Sequence, residues 1–134
     1  MRLWHKDLIP VLPRQQLLSQ WRECCCIARN IAVNGTPNHL LVNKVLEYPA
    51  DHFYWYSQKV YIEMQARGYK CDWSKFTQWD RVKVHIIPSE FELFKDWHND
   101  RYLKQCYYNL QEKYDCGGIT DEEWNKIEEF MMQK

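Results

Sequence analysis

The 134-residue chain has little glycine and proline, no net charge and no long hydrophobic run. Four glycines and five prolines are too few for a protein of many strands and turns, or for a collagen-like or low-complexity chain. The 18 basic and 18 acidic residues cancel, which excludes a polycation that holds nucleic acid by bulk charge. No apolar segment approaches the roughly 20 residues of a membrane span, and MRLWHKDLIP lacks a signal-peptide core. We therefore expect a soluble, cytoplasmic protein without a membrane partner.

The length predicts one domain, residues 1–134, with a hydrophobic core of its own. Within it we expect an N-terminal arm over residues 1–12, a helical core over 13–114 and an acidic C-terminal helix over 120–133. The oligomeric state is not predicted by any feature of the chain.

Neither the cysteines nor the histidines show the spacing of a metal site. Residues Cys24, Cys25 and Cys26 are consecutive, and neighbours on a helix point about 100° apart, so three thiols in a row do not converge on one ion. There is no CxxC pair, and the five histidines have no ligand spacing. We expect reduced thiols that pack as small hydrophobes, no metal and no cofactor. A metal or redox enzyme built on the cysteine cluster is a minor alternative.

The zero net charge conceals an asymmetry along the chain. Residues 1–30 carry five basic and two acidic side chains, a net charge of +3, whereas residues 121–134 carry two basic and five acidic ones, a net charge of −3. A basic front end is consistent with an anionic partner, although short windows of any surface fluctuate in charge.

A long amphipathic helix is predicted after Pro13, because apolar residues recur there at steps of three and four up to Ile31. Asn34-Gly35 should end it, since glycine tolerates positive φ. Gln15, Arg22 and Arg29 are spaced by seven and should share its polar flank.

Three further helices follow from capping and periodicity. The first should begin at Asp51, end at Gly68 and bury Phe53, Tyr56, Val60 and Met64. A Ser89–Glu92 capping box should start a second helix at about residue 90. This helix either continues through Asn99-Asp100 or breaks there. Thr120 and Glu123 form a second box before the last helix. Residues 36–48 and 71–88 should be irregular, with a possible strand over 82–86. We therefore predict an all-α, compact single-domain helical bundle with long irregular connections.

Several aromatic side chains have the shape to stack on bases, but the core is their more common place at this aromatic density. These are Trp73, Trp79, Trp97, Tyr107 and Tyr108. The chain has no phosphate-binding glycine loop and no nucleophile elbow.

The segment Gln15 to Glu23, QQLLSQWRE, resembles a helix of the pyrimidine-dimer DNA glycosylase/AP lyase family that reads Gln-His-Leu-Met-Ala-Glu-Tyr-Arg-Glu. Arg22-Glu23 lies at the same distance from the chain start as the Arg-Glu pair of the family helix, so the two segments align without a gap. The resemblance continues more loosely through His52-Phe53-Tyr54, Arg67-Gly68-Tyr69 and Ile87-Pro88-Ser89-Glu90. About two thirds of the chain is covered.

The resemblance implies an all-helical enzyme that binds duplex DNA with damaged or abasic sites. In that family the N-terminal amine attacks the sugar C1′, a Schiff base forms and β-elimination cuts the strand. An α-amine suits this chemistry, because its ordinary pKa of about 7.7–8.0 leaves more of the neutral form than the roughly 10.4 of lysine. Here the nucleophile would be the amine of Met1, with Glu23 as acid/base and electrostatic partner.

The resemblance also implies that several polar side chains of the front end position DNA phosphates. These are Arg2, Arg14, Gln15, Gln16, Arg22 and Arg29.

The chain departs from the family at three positions, two of which are in this set. Arg2 stands where the family has a threonine that permits loss of the initiator methionine, Gln16 replaces a histidine and Cys26 replaces an arginine. Together with the acidic C-terminus, these differences favour an alternative: a non-catalytic DNA-binding or protein-interaction domain that keeps the fold.

Overall fold

The computed structural model describes residues 1–80, 82 and 85–134. It contains two 3-10 helices, Lys6–Val11 and Asn43–Glu47, and five α-helices: α1 Arg14–Asn34, α2 Ala50–Ala66, α3 Ser74–Thr77, α4 Asp100–Asp115 and α5 Asp121–Met132. No strand occurs in these ranges, so the predicted all-α class is confirmed. The strand suggested over residues 82–86 includes Lys83 and Val84, which lie outside the described residues.

Helix α1 has the predicted limits. It follows Pro13, and Gly35 ends it at a φ of +77°, a left-handed conformation that costs glycine little. Its buried side lies against α2 and α3 and is formed by Leu17, Gln20, Trp21, Cys24, Ile27 and Ala28. One member of this apolar stripe, Gln20, is polar.

The N-terminal arm is part of the core. Leu3, Leu8 and Leu12 are all almost fully buried, and the 3-10 helix Lys6–Val11 packs against both α2 and α5. Arg67, just after α2, donates through its guanidinium to the carbonyl oxygens of Leu12 at 2.8 Å and of Pro10 at 3.1 Å. The first twelve residues are therefore held in place from several sides.

Helix α2 begins one residue earlier than predicted. Pro49 precedes its first residue, and Asp51 lies in the first turn instead of capping it. The predicted buried stripe is confirmed at Phe53, Tyr56, Val60 and Met64.

The helix predicted to open near residue 90 is wrong. Ser89 does accept a hydrogen bond from the Glu92 amide at 3.1 Å, but turns follow. The physical reason lies at Phe94, which is completely buried and has a φ of +50°, a conformation that no α-helix can contain. Helix α4 begins only at Asp100, where the Asn99 side chain accepts from the Tyr102 amide.

Helix α5 is capped as predicted, with Thr120 and Glu123 each accepting from the other's backbone amide. Trp124 stacks on Tyr107 and Tyr114 of α4 at centroid distances of 5.4 and 5.0 Å. Three acidic side chains of α5 have partners inside the protein: Asp121 with Tyr114, Glu123 with the Arg14 amide, and Glu128 with Tyr107.

All six cysteines are free. Burial raises the pKa of the Cys24 thiol far above its ordinary value and that of Cys25 to about 11, so neither is a thiolate at neutral pH. Over the described residues, no group of three potential ligands could hold a metal ion, and no helix has the length and hydropathy needed to cross a bilayer.

Candidate active-site cleft

A cleft of about 450 Å³ lies beside the front end of the chain, where four segments meet. The arm contributes Met1, Arg2 and Trp4, α1 contributes Gln15, Gln16, Ser19 and Glu23, the following loop contributes His39 and Leu41, and α4 contributes Asn109 and Lys113. Five residues singled out from the sequence thus come together: Met1, Arg2, Gln15, Gln16 and Glu23.

The helical period of α1 explains why its polar side chains border one cleft. Gln16, Ser19 and Glu23 are three and four positions apart and therefore lie on the same side of the helix. Ser19 is exposed, while Gln16 and Glu23 are half-buried. Three polar side chains of α1 therefore line this wall of the cleft.

One buried side chain fixes the arm against this wall. Gln20 is completely buried, and its amide oxygen accepts from the Trp4 amide at 2.8 Å and from the Tyr56 hydroxyl at 3.1 Å. Its amide nitrogen donates to the carbonyl oxygen of Arg2 at 3.1 Å and to Glu23 Oε2 at 3.3 Å. Gln20 therefore positions the backbone just after Met1 and the carboxylate of Glu23 together.

Two tyrosines complete the attachment of the arm. The Tyr56 hydroxyl shares its one proton between Gln20 Oε1 and the carbonyl oxygen of Trp4, which lies at 2.5 Å, and the Tyr102 hydroxyl donates to the carbonyl oxygen of Leu3 at 2.6 Å. Burial raises the pKa of both phenols, so both keep the proton that they donate. Three successive carbonyl groups, from residue 2 to residue 4, are consequently bound by side chains.

The electrostatics of Glu23 depend on the arm. Burial raises the pKa of its carboxyl above the ordinary value. The positive N-terminal ammonium opposes that shift most strongly, followed by the Arg2 amide and His39. The charge of the Met1 amine thus acts on the Glu23 carboxyl within the cleft that both residues line.

Two buried polar atoms at this cleft have no hydrogen-bond partner among the described residues. They are Gln16 Oε1 and His39 Nδ1. Buried polar atoms are normally paired, so these two stand out among the residues that line the cleft.

The other sequence candidates lie outside this cleft. Arg14 borders a neighbouring cleft of about 400 Å³, donates its amide to Glu123 at 2.7 Å and holds its guanidinium 5.6 Å from the centre of the Tyr69 ring. Arg22 lies in a separate groove with Lys70 and Lys75. Arg29 is exposed, with its guanidinium 5.9 Å from the centre of a Trp79 ring.

Sequence reasoning missed several members of the cleft. His39, Leu41, Asn109 and Lys113 come from distant segments, and no local pattern relates them to Glu23. Gln20 did carry a signal, because it is a polar residue within the apolar stripe of α1.

The fold and cleft define an all-α protein that presents an N-terminal amine and a carboxylate in one pocket. A family model described as pyrimidine dimer DNA glycosylase matches residues 1–77, which is more than half of the chain. The chain belongs to this family, and the family implies a DNA substrate containing pyrimidine dimers. The matched region includes Met1, Gln20, Glu23 and His39 and ends before α4. No curated protein and no solved structure matches the chain.

Proposed function

We propose that this chain is a cytoplasmic DNA glycosylase/AP lyase that acts on damaged pyrimidines and abasic sites in duplex DNA. The observation that supports it most is the common cleft of Met1 and Glu23, in which burial raises the pKa of the carboxyl and the charge of the amine partly opposes that shift. Membership of the pyrimidine dimer DNA glycosylase family supplies the substrate class. The six free cysteines are compatible with a reducing compartment.

In the first step the neutral amine of Met1 attacks the sugar C1′. The new bond forms between nitrogen and C1′ while the glycosidic bond breaks, and the departing base takes its electron pair and a proton. The C1′–O4′ bond then opens, O4′ gains a proton and the amine becomes an imine of C1′. On an abasic site the same imine forms with loss of water.

In the second step the imine acts as an electron sink. A base removes a proton from C2′, the electron pair of that C–H bond forms a C1′=C2′ double bond, and the imine pair moves onto nitrogen. The nitrogen pair then restores the imine, a C2′=C3′ double bond forms, and the C3′–O bond breaks with the phosphate as leaving group. Water then hydrolyses the imine and releases the amine of Met1. The strand is cut on the 3′ side of the sugar.

Glu23 serves both steps from its place beside the amine. As a carboxylate it stabilises the positive charge that develops on the sugar, and it accepts and returns protons during imine formation. Burial raises its pKa toward the working pH, which makes it a better proton carrier than an exposed glutamate.

DNA contacts would come from two sets of residues. Arg2, Gln15 and Gln16 border the reaction cleft and would hold the phosphates next to the lesion. Arg14, Arg22 and Arg29 lie beyond it and would contact more distant phosphates.

Trapping with borohydride tests the proposal, because the reagent reduces an imine to a stable secondary amine. Wild-type protein incubated with duplex DNA holding an abasic site or a cyclobutane dimer should give a covalent adduct, and peptide mass analysis should place it on Met1. Glu23→Gln should lower the trapping rate by about a hundredfold, the range of general acid–base catalysis. An adduct on a lysine, or none with either substrate, would refute the proposal.

An insertion provides a geometric control. One leucine added between Met1 and Arg2 is large enough to retain the initiator methionine and displaces the amine by up to about 3.8 Å, whereas reacting atoms must approach to about 3–3.5 Å. Trapping should therefore be lost while the fold and DNA binding persist.

A non-catalytic DNA-binding or protein-interaction domain is the second candidate, and Arg2 favours it. A large residue at position 2 retains the initiator methionine, which places the amine one residue earlier than in the family's pattern. Intact-mass analysis separates the candidates: an acetylated Met1 excludes amine chemistry, whereas a free Met1 permits it.

A further inference from the structure

Two adjacent leucines stand exposed at the edge of the proposed active site. The side chain of Leu40 is 90% exposed and that of Leu41 is 55% exposed, although both are fully apolar. They lie in the loop between α1 and the 3-10 helix Asn43–Glu47. Leu40 is almost fully exposed and Leu41 more than half, so the loop presents adjacent apolar surface to a partner outside the chain.

The loop that carries these leucines is braced from within. The Asn43 side chain accepts from the His39 amide at 3.1 Å, and the amides of Val42 and Asn43 donate to the His39 carbonyl at 3.0 and 2.8 Å. Val42 is completely buried. The two side chains thus project from a fixed turn, and ordering them on binding costs little backbone entropy.

The leucines lie between two clefts. Leu41 borders the cleft of Met1 and Glu23, and both leucines border a second cleft of about 520 Å³. Arg2 borders both clefts as well. Arg2, Leu41 and Asn109 line both clefts, so a ligand that spans the two lies against Leu41, with Leu40 next to it.

The second cleft has the charge of a phosphate-binding surface. Its lining includes three cationic side chains, Arg2, Lys44 and Arg101, against one acidic side chain, Asp96. Cations around an apolar tip match a nucleic-acid duplex, which presents phosphates outside and apolar base faces inside.

The proposed reaction requires side chains that open the duplex at the lesion. In stacked duplex DNA the C1′ atom of the damaged nucleotide is not accessible to an amine inside a cleft, so the duplex must be bent or unstacked first. Apolar side chains that enter between base steps perform this task in other DNA-binding proteins, at a cost of a few kcal/mol per step that new contacts offset.

We propose that Leu40 and Leu41 insert into the base stack beside the lesion, while Arg2, Lys44 and Arg101 hold the phosphates of the bent strand. This inference rests on the proposed function, because it assigns the way in which the same site opens its duplex substrate. The two leucines are positioning residues and do not touch the reacting atoms.

The test compares two substrates for the double variant Leu40→Ala/Leu41→Ala. One is a duplex with a single abasic site, and the other is the same abasic strand without its complement, which has no duplex stack to open. Borohydride trapping under single-turnover conditions should slow about tenfold or more on the duplex and less than about twofold on the single strand. A merely structural role would slow both substrates equally and would overturn the inference.

Two matched variants sharpen the comparison. Leu46→Ala removes a leucine of similar exposure, 50%, that borders neither cleft, and it should trap both substrates at the wild-type rate. Leu40→Met/Leu41→Met keeps two long apolar side chains and should retain most of the duplex rate. Wild-type rates on duplex DNA for the alanine variant would also overturn the inference.

A direct readout of unstacking separates this inference from the proposed function. 2-Aminopurine placed next to the abasic site becomes brighter when it leaves the stack. The wild-type protein should increase its fluorescence on binding, and the double alanine variant should not. If the wild-type protein traps no DNA but still produces this increase, the lyase proposal fails and the insertion of Leu40 and Leu41 stands. If the wild-type protein traps DNA but gives the same fluorescence as the double alanine variant, the lyase proposal stands and the insertion fails.

Discussion

The amide nitrogen of Gln20 lies 3.3 Å from Glu23 Oε2, and the same nitrogen lies 3.1 Å from the carbonyl oxygen of Arg2. A single buried amide therefore joins the proposed acid to the backbone that carries the proposed nucleophile. Since Glu23 is only three residues further along α1, the helix itself sets the distance between the two side chains.

We predict that Gln20→Met destabilises the protein and misplaces the arm. Methionine fills a similar volume but leaves the Trp4 amide and the Arg2 carbonyl without buried partners, at about 1–3 kcal/mol for each unsatisfied group. Urea denaturation should show a loss of roughly 2–4 kcal/mol. Gln15→Met, on an exposed position of the same helix, should change the free energy of unfolding by less than about 0.5 kcal/mol.

The pH dependence of trapping by Gln20→Glu tests whether Gln20 acts on Glu23 directly or only stabilises the fold. Glutamate is isosteric, but as a carboxylate it adds a negative charge beside Glu23, which should raise the pKa of Glu23 further. The acid limb of the trapping rate should therefore move to higher pH. A lower rate with an unchanged pH profile would argue against the contact between these two side chains.

Glu23→Gln should stabilise the fold at neutral pH while it lowers activity. Burial raises the pKa of Glu23 in the folded state, so the folded protein binds this proton more tightly than the unfolded chain does. Stability is consequently lost as pH rises from the ordinary value of 4.5 through the raised one. Because the carboxyl is partly solvated, we expect a gain of at most about 1 kcal/mol at pH 7 and none at pH 4.

Thermal denaturation at the two pH values measures this difference. A variant less stable than the wild type at pH 7 would mean that attraction to the N-terminal ammonium exceeds the cost of burial.

His98 should make the protein sensitive to acid. Its ring is buried, it accepts the Lys6 amide at 2.9 Å, and burial lowers its pKa from 6.5 to about 2. The unfolded chain binds the proton below pH 6.5 and the folded one does not, so stability falls as pH decreases below 6.5. Between pH 7.5 and 5.0 this one group should remove about 2 kcal/mol.

His98→Asn tests this prediction, because the asparagine oxygen can still accept from Lys6 but does not titrate. The variant should be less stable at pH 7.5, yet its loss between pH 7.5 and 5.0 should be smaller than that of the wild type by about 2 kcal/mol. Trp97→Phe changes a ring whose centre lies 4.8 Å from that of His98 without removing a titratable group, and it should keep the wild-type pH dependence. Equal pH slopes for all three proteins would contradict the assignment.

The groove of Arg22 should bind phosphate without taking part in the reaction. Arg22, Lys70 and Lys75 share a groove of about 540 Å³ with one acidic residue, Asp72. Arg22→Ala and Lys75→Ala should each reduce the slope of log affinity against log salt by about 0.9, the value for one lost phosphate contact. Fluorescence anisotropy of labelled duplex DNA over a salt series measures the slope.

Trapping at saturating DNA should be unchanged in both groove variants. Lys126→Ala on the acidic helix α5 is the control and should keep the wild-type salt slope. If a groove variant traps slowly even at saturating DNA, the groove takes part in the reaction and the prediction is wrong.

The sequence predicted the helices whose signals are local. The limits of α1 followed from Pro13 and Gly35, and α5 followed from the Thr120 capping box, because these interactions span only a few residues. The helix predicted after residue 90 was wrong because its backbone is set by contacts between distant residues. Its capping pair at Ser89 and Glu92 formed, but the buried Phe94 has a φ of +50°, so turns follow instead of a helix.

By itself, the sequence determined the all-α class and the family. Those properties reside in periodicity and spacing, which a linear pattern contains. Only the tertiary structure decided that Gln20 holds the arm, that His39 and Lys113 enter the cleft with Glu23, and that Arg22 and Arg29 stay outside it. These relationships depend on how distant segments pack, since a side chain's neighbours across a cleft are set by the three-dimensional path of the backbone and not by position along it.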